Sequence, residues 1–79
     1  MERKEIFKRL NEVFRDVFDD SSITVNDATV AADIEDWDSL IHITLMQSIE
    51  DEFSVKFSMK EIVSLKNVGD IADIIEKKL

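Results

Sequence analysis

A chain without proline, and with a single glycine in 79 residues, has few ways to reverse direction sharply. Hairpin turns depend on such residues, so a meander of short strands is poorly served and helices are the first expectation. The chain also has no cysteine, which removes disulfides and thiolate-held zinc as supports for a small fold. Packing alone must hold the core. Apolar residues make up 44% of the chain, mostly Ile, Val, Leu and Phe, enough for one modest core. A single domain over residues 1–79 is expected.

Helical periodicity supports this. Ile6, Leu10, Val13, Phe14 and Val17 repeat at i, i+4, i+7, i+8 and i+11, with Lys8, Arg9, Glu12, Arg15 and Asp16 toward water. This predicts a helix from about Arg3 to Phe18. The period then fails. The stretch "DDSSITVNDATVAADIED" opens a long ordered loop from Asp19 to Asp38, pinned by Ile23, Val25, Val30 and Ile34. A loop of that length in a compact domain is often functional. A strand over Ile23–Val25 would find no partner elsewhere. A second helix is expected from Ser39 to Phe53, with Leu40, Ile43, Leu45, Met46, Ile49 and Phe53 on its apolar side. Asp36 and Asp38 sit at its positive end, where carboxylates are favoured. Ser58 and Glu61 form a capping-box pattern for a short helix over Met59–Val63. Asn67 is placed to cap a last helix, Val68 to Lys78, whose stripe is Val68, Ile71, Ile74, Ile75 and Leu79. The sum is an all-α, four-helix bundle: three main helices, one short helix and a long first loop.

Eighteen acidic residues stand against ten basic ones, a formal charge of -8. Such a chain repels nucleic acid and anionic membranes and is drawn to basic protein surfaces, less so as salt rises. The opening "MERKEIFKRL" has no apolar run behind it, so no secretory signal is expected. No stretch approaches the roughly 18 apolar residues of a membrane span. A cytoplasmic protein is expected. A monomer is expected too, since one core uses up the helix stripes.

Few residues offer chemistry. His42 is the only histidine and stands three residues after Ser39, so a Ser–His pair on one helix face is conceivable. Such a pair would lack a pocket and oxyanion donors. An exposed or half-exposed helix position is the plainer reading of His42. Asp36 and Asp38 begin like a calcium loop, but Ile41 and Gln47 stand where the loop needs glycine and glutamate. Glu50, Asp51 and Glu52 taken alone read as a solvated face. Trp37 reads as a half-buried lid on the core or as a contact residue. Ser39 has two readings. It is a favoured helix N-cap, a role Asp38 could also fill. It also lies at a helix mouth, where free N–H groups and the macrodipole welcome an anion such as a phosphate ester.

The chain resembles the acyl carrier proteins, including the peptidyl carriers of nonribosomal synthesis. The likeness spans the whole chain and is strongest in Asp38-Ser39-Leu40 followed by "ITLMQSIEDEF", which ends in Glu50, Asp51, Glu52 and Phe53. The resemblance implies that Ser39 carries 4′-phosphopantetheine, moved from coenzyme A by a phosphopantetheinyl transferase that holds its own Mg²⁺. The arm would hold acyl or aminoacyl cargo as a thioester and present it to loading and processing enzymes, while the carrier catalyses nothing. It further implies that Asp38 and Leu40 flank the attachment site, that Leu40 is read by the modifying enzyme, and that the second helix is the recognition face. Leu40, Ile41, Met46, Glu50 and Asp51 are its expected contacts. Leu45, Ile49, Phe53, Phe57, Leu65 and Ile71 are core positions that could part around a cargo. Some residues depart from the fatty-acid carriers. Ile41 and Thr44 replace acids, Trp37 replaces a small residue and Ser58 replaces a common proline. These departures point to a discrete carrier of a specialised pathway: a polyketide, a nonribosomal peptide or acyl modification of a surface glycan. An unmodified acidic helical interaction module is the alternative.

Overall fold

The computed structural model describes residues 1–79. It contains four helices and no strand: α1 (Arg3–Val17), α2 (Ser39–Phe53), α3 (Met59–Ser64) and α4 (Val68–Lys78). The long connection between α1 and α2 holds one 3₁₀ turn, Ala31–Asp33. No helix is long and apolar enough to cross a membrane.

α1 turns its expected stripe inward. Ile6, Leu10, Val13 and Phe14 are buried, and Val17 packs at the margin. The helix stops one residue earlier than the periodicity suggests. Phe18 is its C-cap, with its N–H donating to the Phe14 carbonyl at 3.0 Å. α4 contributes Val68, Ile71, Ala72 and Ile75 to the same core.

α2 departs from expectation. Leu45, Met46, Ile49 and Phe53 are buried, but Leu40 and Ile43 are 79% and 68% exposed. The reason is geometric. The buried stripe recurs at three- and four-residue steps through Leu45, Met46, Ile49 and Phe53, and Leu40 and Ile43 lie off it. α2 therefore has apolar residues on two faces, of which the core uses one.

α3 starts as its capping box predicts. Ser58 Oγ accepts from the Glu61 N–H at 3.1 Å, and Glu61 Oε1 accepts from the Ser58 N–H at 2.8 Å. Glu61 also pairs with Lys78 at 3.2 Å, joining α3 to the end of α4. The Ser58 N–H, more than Lys78, holds the Glu61 carboxyl below its ordinary pKa.

The long loop is tied down at its middle. The Val68 N–H donates to the Thr29 carbonyl at 2.8 Å, and the Gly69 N–H donates to the Asp27 carbonyl at 3.1 Å. Asn67 Oδ1 accepts from the Asp70 N–H at 2.9 Å. Loop carbonyls and one side chain thus satisfy the free donors of α4's first turn. Val25 is buried below them, and its N–H donates to Asn11 of α1 at 2.6 Å. Arg3 closes the arrangement from outside. It bonds Asp27, Asp73 at 2.9 Å, Glu76, and the Gly69 carbonyl at 3.2 Å. These acids, Asp27 foremost, push the guanidinium pKa further above its ordinary value.

The close approach of loop and helix explains the one glycine. A Cβ on Gly69 would sit 2.7 Å from the Asp27 carbonyl oxygen, a backbone atom that cannot swing aside. Gly69→Ala should therefore lower stability by about 1–3 kcal/mol, the range for overpacking, in urea denaturation. A separate expectation concerns Glu61. Its folded carboxyl is more acidic than the unfolded one. The stability it contributes is present above the ordinary carboxylate range and lost as pH falls through the folded value. Amide shifts of α3 should report that loss on acid titration, and Glu61→Gln should remove it.

Candidate functional site

One carboxylate makes the junction between loop and α2. Asp38 has extended backbone (φ -111°, ψ -176°), and its Oδ1 accepts from the Leu40 N–H at 3.0 Å and the Ile41 N–H at 2.9 Å. Asp38 is the N-cap. Ser39 is the first helical residue, exposed, and its hydroxyl is bonded to no protein group. Of the two readings of Ser39, capping is thereby excluded. The same bonds refine the anion argument. Two of the N–H groups at the helix mouth are already engaged by Asp38, so an anion on Ser39 would meet mainly the residual dipole.

The residues before Asp38 are shaped by a tight turn. Asp36 takes left-handed backbone (φ 73°), which aspartate tolerates better than most residues. The Asp38 N–H donates back to the Asp36 carbonyl at 3.0 Å. Between them, Trp37 is half-buried and packs edge-on against Phe14 of α1 (centroids 5.4 Å apart) and its C-cap Phe18 (6.1 Å). Its indole N–H donates to Nδ1 of His42 at 3.0 Å. The Ser–His pair conceivable from spacing is thus not formed: the His42 Nδ1 faces Trp37. The Trp37–His42 bond has no signal in the sequence, because it crosses a loop–helix junction where no period applies. Leu65, Lys66, Asn67 and Ile71 join these two side chains around a small cavity of about 70 Å³.

The expected contact residues do not share one surface. Leu40 is exposed, Ile41 is half-buried and Asp51 is exposed. Met46 is corrected: at 1% exposure it is core, because it falls on the buried stripe of α2. Glu50 is only partly exposed, and its Oε2 accepts from the Phe57 N–H at 2.7 Å, which fixes the α2–α3 connection. Ile43, which the apolar pattern assigns inward, is instead beside Leu40 in exposure.

The family model of the phosphopantetheine attachment site matches residues 8–75. The acyl carrier protein of Coprothermobacter proteolyticus is 32% identical over 82 residues, covering all of this chain and 96% of the relative. That of Thermotoga maritima is 34% identical over 79 residues, covering 98% of this chain and 95% of the relative. The solution structure of holo acyl carrier protein from Geobacter metallireducens superposes with a TM-score of 0.85 at 47% identity, covering 91% of this chain and 83% of that one. The chain belongs to the acyl carrier protein family.

Acyl carrier proteins bear phosphopantetheine, a flexible arm whose thiol holds acyl cargo as a thioester. This chain has no thiol of its own, so that chemistry has to come with the group. The α2 junction fits it: an exposed, unbonded hydroxyl on the first residue of a capped helix. Because Asp38 and not Ser39 caps α2, the two residues should differ in their effect on folding. Asp38→Ala should lower stability by about 1 kcal/mol. Ser39→Ala should change it by no more than about 0.5 kcal/mol. Paired urea denaturation curves measure both.

Proposed function

We propose that Ser39 is the attachment point of 4′-phosphopantetheine and that this acyl carrier protein presents thioester-bound cargo to a succession of enzymes. The observation that carries the assignment is the division of labour at the α2 junction. Asp38 does the capping, which leaves Ser39 an exposed hydroxyl with no structural task. In the loading step the Ser39 oxygen would bond to the phosphorus of coenzyme A that bears the pantetheine. The pyrophosphate bond breaks, 3′,5′-ADP leaves, and the serine proton passes to a base of the transferase.

The surface around Ser39 suggests how partners are met. Leu40 and Ile43 stand exposed on α2 with Ile41 half-buried near them, and Asp51 is exposed further along. An apolar contact beside the attachment residue, inside a strongly acidic chain, suits brief docking: charge brings the partner and a small apolar patch seats it. Cargo in fatty-acid, polyketide or related acyl biosynthesis fits this reading. Uncharged Ile41 and Thr44 in place of acids favour a discrete carrier of a specialised pathway, with aminoacyl cargo as the neighbouring reading.

The assignment is tested by intact-mass measurement after incubation with coenzyme A, Mg²⁺ and a broad-specificity phosphopantetheinyl transferase. The protein should gain one phosphopantetheinyl group and Ser39→Ala none. An equal gain in Ser39→Ala, or no gain in the unaltered protein, defeats the assignment. Association with a partner enzyme should slow as salt rises, and Leu40→Ala should weaken docking at every salt concentration.

A further inference from the structure

We infer that Trp37 and His42 form a proton-sensitive latch across Ser39, closed while the imidazole is neutral and opened when it takes up a proton. The argument starts from donor and acceptor inventories. An indole N–H only donates. The atom it meets, Nδ1 of His42 at 3.0 Å, must therefore offer a lone pair. A protonated imidazole has an N–H on both nitrogens and no acceptor left. Protonation thus sets two donors against each other at this contact. Face-on attraction between a cationic imidazole and the indole does not replace the bond. The two rings lie within 24° of parallel with centroids 5.9 Å apart, and the contact runs through their edges. Histidine is the side chain that changes charge near neutral pH.

The latch is well placed to matter. Trp37 is anchored on α1 through Phe14 and Phe18, and His42 belongs to α2. Their bond joins the residue two before Ser39 to the residue three after it, and it forms one wall of the cavity shared with Leu65 and Ile71. Opening it leaves Trp37 packed on Phe14 and Phe18 and removes one tie between the loop and α2, while the Asp38 cap stays in place. Of the residues lining the cavity with the imidazole, Lys66 is the charged one. Asp38 lies one turn earlier, with its carboxylate turned to the Leu40 and Ile41 N–H groups. Lys66 comes from the α3–α4 connection and lines the same cavity. Asp70 of α4 is occupied in accepting from the Lys66 backbone N–H at 2.9 Å. On the α1 side Trp37 packs against the uncharged rings of Phe14 and Phe18.

The chain has one tryptophan and one histidine, so each signal is unambiguous. The experiment is a pH titration by NMR of the unmodified protein, following the Trp37 indole N–H and the His42 ring protons together. In the unmodified protein the indole N–H should shift and lose protection from solvent exchange over the pH range in which His42 titrates. His42→Gln keeps an acceptor oxygen and does not titrate, so it should hold the indole N–H constant over that range. An indole signal that stays fixed while His42 titrates overturns the latch, as does an unchanged pH response in His42→Gln.

Discussion

The pairing of loop carbonyls with the first turn of α4 is the interaction on which the rest of this small bundle depends. A loop that runs from α1 to α2 with only one short 3₁₀ turn exposes many backbone polar groups, and a helix start exposes several more. Here each solves part of the other's problem. Thr29 and Asp27 accept from Val68 and Gly69, and Asn67 completes the turn. That contact brings loop and helix so close that a side chain at Gly69 would collide with backbone. It also brings Asp27 within reach of Arg3, which gathers acids from the loop and from α4. With the middle of the loop fixed, its end arrives at α2 already directed.

That direction decides what Ser39 is free to do. The turn at Asp36 and the packing of Trp37 on Phe14 and Phe18 deliver Asp38 in extended backbone, with its carboxylate on the N–H groups of Leu40 and Ile41. A helix start needs one cap, and it has one. The following serine is left free of any capping task. Under the proposed assignment of Ser39, the residue that holds the helix and the residue that carries the cargo are separate, a physical advantage for a protein that docks and releases repeatedly.

α2 shows why an apolar residue is not always a core residue. Met46 and Leu45 go inside, while Leu40 and Ile43 remain in water. The bundle is small, and one face of a 15-residue helix is all its core can cover. The uncovered apolar residues lie at the end where Ser39 stands, and the acidic ones that remain exposed lie further along. Glu50, which reads like another free acid, is instead a bond to the Phe57 N–H and part of the fold.

Much was legible in the sequence. The stripe of α1, that of α4 apart from the exposed Leu79, the capping box of α3, the Asn67 cap and the absence of strands follow from short-range periodicity and local bonds, which a sequence states directly. Val25 as a loop anchor follows from its apolar character in a polar stretch. The Asp-Ser-Leu motif, with the acidic end of α2, was enough to resemble the family to which the chain belongs. What only the tertiary structure decided is every question about which of two plausible partners a residue takes. Asp38 rather than Ser39 caps α2, Met46 rather than Leu40 is buried, and His42 bonds Trp37 rather than Ser39. The reason is the same in each case. Local patterns specify that a helix forms and where it begins, but the face it buries and the bonds at its ends depend on chain segments that come together only when the loop closes over the bundle.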